Sequence, residues 1–159
     1  MKKRNLISTA IAAFLLTGIA ASSAQAQNAN ATPTYGEIRL VSGFMPDPHI
    51  LHLQAGGPIN AAEELDERCK GFIASAPDVN LRYQTSGLPL YISVESESDT
   101  TLIIEGPDHR WYCVDDTVGL NPVVILRTPQ SGRYSIWVGT YRHNGNERAV
   151  LKISELEGG

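Results

Sequence analysis

The chain has 159 residues, with 13 Lys plus Arg against 17 Asp plus Glu and a formal net charge of −4. An acidic chain repels nucleic acid and anionic membranes at long range, so a nucleic-acid partner is not expected. The hydrophobic share of 42% suffices for a packed core.

Lys2, Lys3 and Arg4 precede an apolar run from Leu6 to Ala21, broken by Ser8, Thr9, Thr17 and Gly18. Ala24-Gln25-Ala26 fits a small-x-small cleavage site. Residues 1–26 are therefore expected to be a secretory signal peptide, cut before Gln27. The run is too short and too broken for a comfortable spanning helix, and no later segment could span. The mature protein is expected in the bacterial periplasm or outside the cell. Removing the signal leaves ten basic against seventeen acidic residues, a net charge of −7.

Residues 27–34 are small and polar and read as a flexible leader, followed by one domain over residues 35–157. Tyr35–Val41 alternates as a first strand, and Gly43, Pro46 and Pro48 make a loop. His49–Gln54 is a second strand, ended by Ala55-Gly56-Gly57-Pro58. Ile59–Lys70 has two open readings, a helical turn or two capped by Asn60 with Glu63 in capping-box position, or an extended edge segment. Strands then follow at 79–84, 88–95, 100–105, 110–114, 123–127, 134–141 and 149–156, separated by Gly, Pro, Asn and Asp turns. His143-Asn144-Gly145-Asn146 reads as a hairpin turn. About nine short strands at this spacing, without helices between them, predict an all-β fold: an antiparallel β-sandwich, jelly-roll-like.

Cys69 and Cys113 are the two cysteines, and both fall in the exported part. In an oxidising compartment they are expected to pair. They lack the C-x-x-C spacing of a redox pair and the neighbours of a zinc site.

Acidic groups supply the strongest chemical signal. Asp115 and Asp116 are adjacent in a turn that also holds Asn121. If the strand from Thr100 pairs with the strand from Arg110, Asp99 lies at the same end of that hairpin. Asp99, Asp115, Asp116 and Asn121 would then offer carboxylate and amide oxygens, the donor set that calcium takes. The same residue types also cap turns through local hydrogen bonds, and both readings stand. A rival signal is aromatic: Trp111, Trp137 and Tyr141, if turned outward, would stack on sugar rings and make a carbohydrate-binding module.

Enzyme signals are weak. No G-x-S-x-G, H-E-x-x-H or phosphate-cradling glycine loop occurs. His49 and His52 are three apart on a strand and face opposite ways. His109 and His143 sit in turns, and Glu63, Glu64, Asp66 and Glu67 form a solvated charge run. A small secreted hydrolase built on loop carboxylates is the least supported reading.

Three segments carry a resemblance: Ser98-Asp99-Thr100-Thr101-Leu102, the turn Gly106-Pro107-Asp108, and Gly132-Arg133-Tyr134-Ser135-Ile136-Trp137-Val138 with Leu151-Lys152-Ile153. Over residues 79–155 the chain resembles the bacterial pre-peptidase C-terminal domain. That resemblance implies a secreted, non-catalytic β-sandwich accessory module that accompanies extracellular proteases, sometimes with bound calcium. The chain departs from the pattern in lacking a glycine after Asp108 and in its Trp111–Pro122 segment. The reading that results is an exported, non-enzymatic binding module for a protein or glycan partner.

Overall fold

The computed structural model describes residues 28–142 and 145–159. The expected signal peptide, Gln27, and His143 and Asn144 of the expected hairpin turn lie outside the described residues. Eleven strands and one helical turn follow in order: β1 Glu37–Val41, β2 His49–Ala55, β3 Ile59–Asn60, α1 Ala61–Glu64, β4 Phe72–Ile73, β5 Val79–Gln84, β6 Leu90–Glu95, β7 Thr100–Glu105, β8 Trp111–Val114, β9 Val123–Leu126, β10 Gly132–Thr140 and β11 Glu147–Ser154.

Two sheets face each other. One runs β1-β5-β10-β7-β8, with β4 and β3 attached to the far end of β10, and the other runs β2-β11-β6-β9. Four antiparallel pairs organise them: β7 with β8, β6 with β9, β5 with β10 and β2 with β11. The chain is thus one long hairpin, folded at the Gly106–Arg110 turn and rolled into two layers. That connectivity is the jelly roll, which leaves few open edges.

The structure adds two details to the expected antiparallel sandwich. The sandwich is not wholly antiparallel, because β1 pairs parallel to β5. The chain leaves β1 for the other sheet, so β1 never enters a hairpin. Among the described residues, β3 and β4 join the nine expected strands; they are two residues each, too short to show alternation in the sequence.

The main core lies between the sheets. It joins Leu81, Ile136, Val138, Leu102 and Ile104 to Leu90, Ile92, Val94, Leu151 and Ile153. A second, smaller core lies on the outer face of the β5-β10-β7 layer, where Ile59, Ala61, Cys69 and Ile73 cover Ile103 and Trp137. Two cores explain why β7 is buried on both faces and reads as Thr-Thr-Leu-Ile-Ile without alternation. Both readings of Ile59–Lys70 contribute: β3 is extended and α1 is a single turn. Asn60 caps it, accepting from Ala62 N–H at 3.2 Å and donating to Glu63 at 2.8 Å.

Residues 28–34, expected as a leader, are fastened to the body. Asn28 N–H donates to Ser75 at 2.7 Å, Thr34 N–H donates to Pro77 at 2.9 Å, and Ala29 packs on the second core.

Candidate functional site

One end of the sandwich gathers the connection Ser96–Asp99, the loop Asp115–Pro122 and the start of β11. The β7–β8 pairing runs Leu102 opposite Val114, which brings Asp99 to the same end of the hairpin as Asp115 and Asp116. The loop closes on itself. Val118 and Asn121 exchange backbone hydrogen bonds at 3.1 and 3.2 Å, and Thr117 Oγ1 accepts from Val123 N–H at 3.1 Å. Gly119 has φ +62, at the first central position of a two-residue turn, where a side chain would be strained. This leaves Val118 and Leu120 at the tip, 68% and 50% exposed. Asp116 beneath them is exposed and Asp115 is half-buried.

Some of the oxygens named for calcium are used locally, whereas Asp99 Oδ1 is buried without a hydrogen-bond partner. Asp115 Oδ1 accepts from Asp116 N–H at 2.9 Å, and Asn121 Oδ1 accepts from Ser96 N–H at 3.1 Å. Asp99 Oδ2 faces Arg142 at 3.7 Å. Among the described residues, no three His, Cys, Asp or Glu side chains gather where they could hold a metal ion.

Beside the loop, sharing Asn121, runs an open groove of about 1230 Å³. Gln54, Glu95, Glu97, Glu147 and Arg148 line part of it. Glu147 accepts from Ser98 Oγ at 2.9 Å, and Glu95 pairs with Lys152 at 2.6 Å. The loop and the groove thus meet at Asn121.

Cys69 and Cys113 are joined, with Cα atoms 4.9 Å apart. Trp137, Ile103 and Cys113 stand in one cross-strand row, so the bridge is laid over the tryptophan. Trp137 is fully buried, with its ring 5.5 Å from that of Trp111. Trp137 does not take the outward turn on which the sugar-stacking alternative depended: the Cys69 segment covers it. Trp111 and Tyr141 are half-buried, and Arg142 lies over the Tyr141 ring. The three aromatics do not make a platform. His49 and His52 do lie on opposite faces, opposite Ile153 and Val150. His109 contacts Glu105 at 2.8 Å.

Two residues were not singled out from the sequence. Val118 and Leu120 alternate with Thr117, Gly119 and Asn121 inside a turn, where apolar side chains have no core to enter. That misplaced hydrophobicity was the available signal.

No protein-family model and no curated protein matches the chain. Among solved structures, it is similar to the periplasmic inhibitor of g-type lysozyme PliG from Aeromonas hydrophila. The TM-score is 0.36 at 16% identity, covering 74% of this chain and 96% of that one. At that TM-score the likeness carries no inference about function.

Proposed function

We propose that the protein is an exported, non-enzymatic module that binds a protein partner through the Asp115–Pro122 loop. The observation that carries this reading is the exposure of Val118 and Leu120 on a loop held by its own hydrogen bonds. Exposed apolar side chains on a rigid support lose little freedom when they enter a partner's pocket. Asp115, Asp116 and the groove carboxylates suit a basic rim, which adds steering and specificity more than affinity. The disulfide fits an oxidising compartment, as export requires. An accessory role of the kind that the resemblance to pre-peptidase C-terminal domains implies is compatible with this reading.

A photo-crosslinking residue placed at Val118 or Leu120, with Thr128 as control, tests it in the native exported protein. One partner polypeptide should be captured from both tip positions and not from 128. Its binding should vanish in V118D/L120D while the circular dichroism melt is unchanged. Equal capture at all three positions would remove the loop from consideration.

A further inference from the structure

Among the described residues, strand β1 pairs only with β5, which leaves its other side as a sheet edge. The pairing fixes which groups face outward. Asn80 N–H donates to Gly36 O, and Ser42 N–H donates to Gln84 O. Even-numbered residues of β1 therefore bond to β5, and the N–H and C=O groups of Glu37, Arg39 and Val41 point away from it.

The side chains on the outer face add a second observation. Arg39, Arg82 and Arg133 stand directly opposite one another across β1, β5 and β10. Like charges in one cross-strand row oppose pairing. Glu37 serves two of them, at 2.7 Å from Arg39 and 2.7 Å from Arg82, while Arg133 donates to Asn30. One carboxylate is thus shared by two arginines, and at the open end of the row the Arg39 side chain is 77% exposed.

We infer that β1 is a self-pairing edge, and that its occupant is β1 of a second copy of this chain, run antiparallel about a two-fold axis at Ile38. That register sets Glu37 opposite Arg39 of the other copy, and Arg39 opposite its Glu37. Both are hydrogen-bonded positions, and both use the groups already facing outward. The other two-fold registers open to this edge fail on charge. Centring on Glu37 or Arg39 sets like charges face to face, and centring on Leu40 sets Arg39 against Val41. At the Ile38 register each arginine row ends on a carboxylate, and the edge is closed by an isologous interface. A five-residue edge buries little surface, so the dimer is weak and reversible. Charged residues can also blunt an edge and keep a chain monomeric, and the experiment separates that case.

Sedimentation velocity on the chain from Gln27 onward, over a concentration series into the millimolar range, reads the outcome. Wild type should show a monomer–dimer equilibrium. E37R and R39E should each be monomeric, with circular dichroism melts confirming that they fold. E37R/R39E should dimerise again, and an equimolar mixture of the two single variants should form a heterodimer. A wild-type monomer throughout the series overturns the inference. So does a dimer that either single variant leaves intact, or a failure of both the double variant and the mixture to associate.

Discussion

Asp78 and Glu155 show how two buried carboxylates are shifted in opposite directions. Asp78 is 3% exposed and sits at a gap in the sheet, between the points where β5 and β4 pair with β10. Its Oδ2 accepts from Val138 N–H at 2.7 Å, taking the place of a missing strand partner. Burial outweighs that single donor and pushes its pKa up to about 7. Glu155 is nearly as buried, and burial alone would raise it. Donors from Ser42, Tyr83 and Gly43 together outweigh burial and hold it below its usual value. For Asp78 the folded value lies above the unfolded one of 3.8. The stability it contributes is therefore complete below that unfolded value and is lost as pH rises towards 7. Above this the fold carries a buried charge, at a cost of up to about 4 kcal/mol. D78N keeps the acceptor without the charge, so its unfolding free energy should lose the decline between about pH 4 and 7. D78A also lacks the charge but leaves Val138 N–H unpaired, so it should be less stable than D78N by about 1–3 kcal/mol at every pH. Urea unfolding across that range reads both. A decline surviving in D78N would assign the titration elsewhere. None of this was legible in Ala76-Pro77-Asp78, which reads only as a turn, because the gap it fills is made by a strand far along the chain.

The element that decides the fate of Trp137 is the segment Ile59–Ile73. In the sequence it is ambiguous, because its apolar positions fit neither a helix nor a strand. The structure explains this: the segment caps the outer face of a sheet, needing only Ile59, Ala61, Cys69 and Ile73 turned inward. The cysteine pairing was legible from compartment and count, whereas its role as a lid over Trp137 depended on the Trp137–Ile103–Cys113 row. Bridging residues 44 apart removes about 4 kcal/mol of loop freedom from the unfolded chain. C69S/C113S should therefore lower stability by about 2–5 kcal/mol and loosen the lid. In a W111F background, where Trp137 is the remaining tryptophan, acrylamide quenching should rise when the bridge is removed. Unchanged quenching together with an unchanged melting point would mean that packing alone holds the segment. The calcium donors show the reverse limit. Their convergence at one end of the β7–β8 hairpin could be inferred, but the ion pair of Asp99 with Arg142 and the hydrogen bonds to Asp116 and Ser96 could not.

At the scale of the whole molecule, alternation and turn chemistry were enough to announce a rolled sandwich, since strand spacing is a local property. The partner of each strand is not local. Leu51 pairs with Leu151, and Leu81 with Tyr134, so both layers close only when the first and last parts of the domain meet. The parallel β1 is a further case: its side chains alternate as any strand does, and nothing in them records direction. This topology has a kinetic consequence. The short-range β7–β8 hairpin can form early, but the β2–β11 and β5–β10 pairings must first meet the entropy of closing long loops. Chains dominated by such pairings fold in about milliseconds to seconds rather than microseconds. Refolding of the disulfide-intact protein, followed by stopped-flow tryptophan fluorescence, should fall in that range. Destabilising β2–β11 through L151A should act mainly on unfolding, because this pairing closes last, whereas L102A in the hairpin should slow folding. A refolding rate that L151A slows as much as L102A would place both ends of the roll in the transition state, and the order of closure argued from the topology would fail.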